Sequence, residues 1–361
     1  MRVVLVGSTG NIGTSLLRRF QQEAEPPQLV GLARRLPDTS EHPYRGVEWR
    51  QVNIADEESV PELIDAFTGA DAVVHLAWKL QPNRDEREMW QTNVRGTARV
   101  LRAVAAARVP HLVYLSSIAA YSPGPRRRRV GEDWPTGGIH TSHYSRQKAV
   151  NERVVDKFEA EHPDIVVTRI RPGLVFQRGA GAQEARIFVG TLLPLGWLNT
   201  VRPPIVPLPR TMWTQDVHAS DVADALFRVI DRRAGGAFNL AAEPVLTPER
   251  IASVVGGRWV RIRFAAARAF VSATWKLRLH ATDPGWLDIA ANSPMMSTER
   301  ARRVLGWEPK VSSVDALAEI LSGAADRAGM AGSPPLEVPY EPIEKPRYTR
   351  VSGAETYPEG A

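Results

Sequence analysis

The chain has 361 residues, 43% of them hydrophobic, no cysteine, and 46 basic against 40 acidic residues for a net charge of +6. The hydrophobic fraction argues against global disorder, and the missing cysteines exclude disulfides and thiolate metal sites. The charge excess is mild for this length and gives no ground for a nucleic-acid partner.

In chain order, "RVVLV" (2–6) reads as a buried strand, Gly7 to Gly13 as a glycine-rich turn, and "NIGTSLLRRFQQ" as a helix. "QLVGLA" (28–33) and "VEWRQVNI" (47–54) read as the second and third strands, followed by a helix from about Asp56 to Phe67. "DAVVHLA" (71–77) is the fourth strand, 85–107 a long helical pattern, and "HLVYLSS" (111–117) the fifth strand. A helix carrying Tyr144 and Lys148 runs to about Ala160, before a sixth strand, "IVVTRIRP" (165–172). Short apolar strands alternating with helices imply a parallel sheet covered on both faces. The predicted fold class is α/β, a doubly wound parallel sheet with a smaller C-terminal substrate-binding lobe.

The texture changes after about residue 176, where "TLLPLGWLNTVRPPIVPLPRT" is rich in proline and lacks a clean period. "HASDVADALFRVI" (218–230) reads as a helix with Ser220 or Asp221 as its cap. Residues 263–279 form a helical stretch with Phe264, Val271, Trp275 and Leu279 near one face, read as a lid or core helix. The expected division is a cofactor domain over 1–175, with 216–241 returning to it, a substrate lobe over 176–330, and an extended or disordered tail over 331–361. No run of about 18 apolar residues offers a membrane span. "MRVVLVGSTG" is too quickly followed by glycines for a signal peptide, so a cytoplasmic protein is expected.

Gly7, Gly10 and Gly13 stand at three-residue steps between a strand and a helix, at the start of the sequence. The first glycine permits a tight turn, the second lets backbone approach a pyrophosphate, and the third lets helix and strand pack closely. Helix N–H groups then face the phosphates. This predicts a Rossmann dinucleotide site, with Thr9, Asn11 and Ile12 in the same turn. The acid that would meet the NAD ribose about twenty residues later is absent; Arg34 and Arg35 stand at the end of the second strand instead. Guanidinium groups suit a 2′-phosphate, which favours NADP over NAD.

Tyr144 and Lys148 are i,i+4 neighbours. Such a pair is either an ordinary helix face or a proton-transfer couple, in which the ammonium lowers a phenol pKa from its reference value of about 10.

The series "GSTGNIG", "HLA", "NVRGT", "YLSSIAAY", "YSRQK" and "RPG" resembles extended short-chain dehydrogenases/reductases of the epimerase/dehydratase branch, over residues 1 to about 310. The resemblance implies an NAD(P)-dependent enzyme that moves a hydride to or from a carbon–oxygen centre of a small molecule, with Tyr144 as general acid/base. It puts the family's lysine on Lys148, also a holder of the nicotinamide ribose, and its serine on Ser117 rather than Ser116. Asn53, Ile54, Leu76, Ala77, Asn93 and Pro172 complete the implied cofactor set, with Ala77 small enough for close approach and Asn93 supporting the active-site architecture. A homodimer is an accompanying expectation. The alternative is a non-catalytic NADP-sensing regulator on the same fold, against which the intact Ser117, Tyr144 and Lys148 argue.

The pattern departs from sugar-nucleotide relatives. Asn53 replaces an aspartate, Thr214 stands where an arginine binds diphosphate, with Arg210 as a possible substitute, and "RPGLVF" lacks a phenylalanine–asparagine pair. Leu192, Leu193, Leu195, Trp197, Ile205 and Trp213 suggest an apolar substrate lining. Arg126 to Arg129 either attract an anionic substrate or form a solvated loop paired with Glu132 and Asp133. His75 and His218 are read as packing or polar-network histidines, with no second ligand at metal spacing.

Overall fold

The protein's structure, a computed structural model, describes residues 1–81, 84–189 and 203–337. Its centre is a seven-stranded sheet. In chain order the strands are β1 (Arg2–Val6), β2 (Gln28–Ala33), β3 (Glu48–Gln51), β4 (Ala72–His75), β5 (His111–Leu115), β6 (Val166–Pro172) and β7 (Gly236–Leu240). They lie side by side as β7-β6-β5-β4-β1-β2-β3, and every pairing is parallel.

Successive side chains of a strand point to opposite faces. Val3 and Leu5 therefore enter one core with Leu16, Leu17 and Phe20, while Val4 and Val6 enter another with Val30, Leu32, Leu63 and Phe67. Strands buried on both faces explain why the apolar runs in the sequence are continuous rather than alternating.

Helix α1 (Asn11–Phe20) packs on the first face, and α2 (Val60–Phe67), α3 (Gly96–Ala106) and α4 (His143–Glu161) contribute to the second. The pattern read over 85–107 is not one uniform helix: Glu86–Trp90 passes through a π-helical turn, Gln91–Arg95, before α3. Helix α5 (Ala219–Asp231) lies against α1, where Arg19 reaches Asp224 at 3.0 Å and Phe20 meets Phe227 edge-on at 5.8 Å. Its N-cap is His218, which accepts from Ser220 N–H; Asp221, one of the two caps expected, instead accepts from the backbone N–H groups of Lys310 and Val311.

Ala301, Leu305 and Trp307 also enter the first core. Residues 331–337 differ from the expected free tail: buried Ser333 donates to Thr9 O at 2.8 Å, so this segment lies on the glycine-rich turn. Residues 338–361 lie outside the described residues. Among the described residues no helix is long and apolar enough to cross a membrane.

The sheet order reverses between β1 and β4, and the carboxyl ends of those strands open into a cleft at that point.

Candidate active site and cofactor cleft

A cavity of about 880 Å³ runs along the carboxyl ends of the strands. Its wall includes Gly7, Thr9, Gly10, Asn11, Ile12 and Gly13 at one end, and Ser117, Tyr144, Lys148 and Pro172 at the other. Arg34, Asn53, Ile54, Leu76 and Ala77 also line it. Asn93 does not, although the sequence reading grouped it with the cofactor contacts. It is buried in the π-helical turn and grips Lys79 from both sides, accepting from Lys79 N–H at 2.7 Å and donating to Lys79 O at 2.9 Å. It fixes the segment after Ala77 rather than facing the cleft.

The glycines divide their work by geometry. Gly7 has φ +88°, and a Cβ there would fall 2.6 Å from Ala77 N. A Cβ on Gly13 would fall 2.6 Å from Ser8 O. Gly10 is different: its nearest neighbour would be Gly7 O at 3.5 Å, so its open side faces the cavity. Gly10 is also the N-cap of α1, where no side chain caps the helix. A cradle with space at Gly10 and helix N–H groups beside it fits a pyrophosphate. Asn11 ties this turn to the far wall, donating to Val175 O at 3.0 Å.

At the carboxyl end of β2, Arg34 is exposed on the cavity wall and Arg35 donates to Pro334 O at 3.0 Å. Burial, then the like charges of Arg34 and Arg186, lower the Arg35 pKa. Two further guanidinium groups therefore act on Arg35 there, and a dianionic group would relieve that repulsion.

At the other end, Ser142 caps α4 by accepting from Ser145 N–H. Ser145 Oγ donates to Ala119 O at 2.5 Å, which locks the helix start to the loop after β5. Tyr144 and Lys148 consequently share the helix face above Ser117. The Ser117 side chain acts on the Tyr144 phenol, favouring its ionised form, and its Oγ accepts from Ala119 N–H at 3.1 Å, whereas the Ser116 hydroxyl donates to Glu152 at 2.5 Å. Tyr144 also lies between two indoles, edge-on to Trp78 at 5.5 Å and tilted over Trp286 at 4.8 Å.

The expected lowering of the phenol pKa by Lys148 is absent from this arrangement. Burial raises Tyr144 to about 12, with Ser117 opposing and the Glu184 carboxylate adding to it. Lys148 Nζ instead donates to Leu115 O at 2.8 Å and sits 3.6 Å from the centre of the Trp78 ring. Burial brings the Lys148 ammonium down to about 7, against the pull of Glu152.

Beneath this pair lies a buried ion network that the sequence reading did not anticipate. Arg171 binds Glu152 through two hydrogen bonds of 2.9 and 2.8 Å and donates to Tyr121 at 2.9 Å. The signal was available: two arginines in "RIRP" interrupt an otherwise apolar strand. Trp78, Trp286 and Glu184 were also missed. Burial raises Glu184 to about 7 on the cavity wall.

Of the expected apolar lining, Trp213 is on the wall, while Ile205 is 54% exposed on the ribbon Ile205–Pro209. Leu192, Leu193, Leu195 and Trp197 lie outside the described residues. Arg210 is not on the wall. His75 bonds Thr97 at 2.9 Å, and burial lowers its pKa to about 3. Among the described residues no group of three His, Cys, Asp or Glu could hold a metal ion.

The profile of the NAD dependent epimerase/dehydratase family matches residues 3–241. An uncharacterized protein of Mycobacterium tuberculosis is 25% identical over 335 residues; the match takes in 91% of this chain, which spans only 31% of that relative's length. The 4-hydroxy-2-methyl-3-oxo-4-farnesyl-3,4-dihydroquinoline-1-oxide ketoreductase of Stigmatella aurantiaca is 25% identical over 352 residues, 92% of this chain and 98% of that one. A dTDP-glucose 4,6-dehydratase from Streptomyces venezuelae, solved with NAD bound, shares the fold at a TM-score of 0.69 and 19% identity, covering 93% of this chain and 100% of that one.

Proposed function

The chain belongs to the NAD dependent epimerase/dehydratase family, and we propose that it reduces or oxidises a ketone or secondary alcohol on a predominantly apolar small molecule. The observation that carries this reading is that Ser117, Tyr144 and Lys148 share the wall of the glycine-turn cavity. A phenol able to give a proton, beside a hydroxyl held by Ala119 N–H, supports a carbonyl oxygen meeting both.

Gly7, Gly10, Gly13 and the start of α1 would hold the dinucleotide's pyrophosphate, and Arg34 would face its adenosine ribose. The arginine group around Arg35 supports NADP over NAD. Asn53, Ile54, Leu76 and Ala77 would line the adenine and ribose path, and Lys148 and Pro172 the nicotinamide end. A nicotinamide bound there supplies or accepts the hydride. Tyr144 gives the proton to the nascent alkoxide or takes it from the alcohol. Ser117 holds the same oxygen through its hydroxyl. Lys148 would serve the nicotinamide end rather than the phenol, and Asn93 steadies the Lys79 segment.

Substrate class follows from the remaining wall. Trp78, Trp213, Phe270, Val271, Trp286 and Leu287 present aromatic and aliphatic surface, which suits an apolar body. The end-to-end match to a ketoreductase acting on a farnesylated ring system supports the same class. Arg210 is off the wall, which weakens a nucleotide-sugar reading further. The test is to mix the full chain with NADPH or NADH and a panel of apolar ketones beside UDP- and dTDP-sugars. Loss of the reduced-nicotinamide absorbance with a ketone is expected. Turnover of the nucleotide sugars alone would replace this substrate class, and no turnover of any member would contradict the reading.

A further inference from the structure

The four arginines of "PGPRRRRVGEDW" do not behave as a loop paired with its own acids. Arg126, Arg127, Arg128 and Arg129 line a second cavity of about 360 Å³ together with Trp213, Val245 and Met295. Trp213 and Met295 also belong to the wall of the large cavity, so the two spaces share a partition.

The arginines are unequally occupied. Arg126 is held in place by backbone alone: it donates to Trp213 O at 2.5 Å, Ala290 O at 2.7 Å, Thr211 O at 3.2 Å and to Ser293 O. Its Nε is buried without a partner. Among the described residues no carboxylate neutralises it, and burial lowers its pKa to about 10. Arg129 pairs with Glu243 at 2.6 Å. Arg128 lies 5.8 Å over the Trp134 ring. Among the described residues Arg127 makes no hydrogen bond or ion pair, and neither Arg127 nor Arg128 has a carboxylate partner. Glu132, expected to pair with this run, accepts instead from Asn239 N–H, and its backbone carbonyl accepts from Arg171.

Arg126 is half-buried, and a partly buried cation with no counterion beside it is costly to maintain. Arg127 and Arg128 on the same small cavity add to its positive potential, while Arg129 is offset by Glu243. A phosphoryl group meets this best, since it offers several acceptor oxygens and up to two charges to forked donors.

We propose that Arg126 to Arg129 form an anion site that receives a phosphate or diphosphate group of the ligand whose apolar body occupies the neighbouring large cavity. This deepens the substrate reading above and rests on it for the apolar body only; the anion site stands on its own residues. The ligand would be an amphiphile, with its reacting oxygen at Tyr144 and its acidic end beyond the Trp213–Met295 partition.

The test is calorimetric titration of sodium pyrophosphate into the full chain saturated with NADPH, which keeps the glycine turn occupied. Saturable binding is expected, weakened about tenfold or more in an Arg127→Ala/Arg128→Ala variant. Both side chains are exposed, so the variant should keep the parent's melting temperature. No saturable binding to the parent, or equal binding to parent and variant, overturns the site. A Gly10→Asp chain titrated without cofactor separates the two anion cradles: retained binding supports the arginine site, and lost binding assigns the anion to the glycine turn instead. Either result is read independently of whether any ketone is turned over.

Discussion

Lys148 faces Trp78 more closely than it faces Tyr144: its Nζ is 3.6 Å from the centre of the indole and 6.0 Å from the centre of the phenol ring. The ammonium is stabilised by a π face and by one carbonyl, Leu115 O. Those two contacts do not outweigh burial, which brings the ammonium down to about 7.

A pH dependence follows. The folded pKa of Lys148 lies below its unfolded value of 10.5, so between about pH 7 and 10.5 the unfolded chain binds more protons than the folded one. Stability from this group is therefore fully present above 10.5 and is lost as pH falls toward 7. Melting temperatures at pH 7, 8 and 9 should rise more steeply, or fall less, in the parent than in Lys148→Met. Parallel curves would show that Lys148 does not titrate in this window.

Glu152→Gln tests the support beneath the pair. It leaves the buried Arg171 guanidinium without its carboxylate, and removing one partner of such a pair costs about 3–5 kcal/mol. Chemical denaturation should show a loss of that order. A loss near zero would mean that Tyr121 and the Glu132 carbonyl satisfy Arg171 unaided.

The glycines should separate by function. Gly13→Ala drives a methyl to 2.6 Å from Ser8 O and should lower the melting temperature of the ligand-free chain. Gly10→Asp has room for its Cβ, so the ligand-free chain should melt near the parent. Its side chain enters the cavity, and the stabilisation by NADP(H) or NAD(H) should disappear. A Gly10→Asp chain that keeps the full cofactor shift would place the dinucleotide elsewhere.

Arg34→Ala addresses cofactor choice. Only NADP carries a 2′-phosphate for the guanidinium to meet, so calorimetry should show NADP affinity falling about tenfold or more while NAD affinity changes little. Equal losses would remove Arg34 as the discriminator.

Much of this architecture is legible in the sequence because buried parallel strands write themselves as apolar runs. "QLVGLA" gives β2 with its observed bounds, and the Gly7–Gly13 spacing gives the turn and α1. The strand alternation expected to separate Ser117 from Ser116 does not apply, because the strand ends at Leu115 and both serines line the cavity. What was not legible depends on partners far away in the chain. Nothing near Asn93 announces that a π-helical turn will aim its amide at Lys79. The Lys148 rotamer depends on Trp78, seventy residues earlier, and Ser333 meets Thr9 across almost the whole chain. Charge pairing was misread for the same reason: Glu132 is adjacent to the arginine run in sequence but is taken by Asn239.

The most direct test is single-turnover hydride transfer in Tyr144→Phe, beside a cofactor titration, with the first ketone found to be reduced. The substitution keeps the ring between Trp78 and Trp286 and removes only the hydroxyl. Cofactor affinity should change little, while the transfer rate should fall by about a hundredfold or more, the usual scale of general acid–base help. Full hydride transfer in Tyr144→Phe would contradict the account and make Tyr144 an ordinary aromatic of the cavity wall.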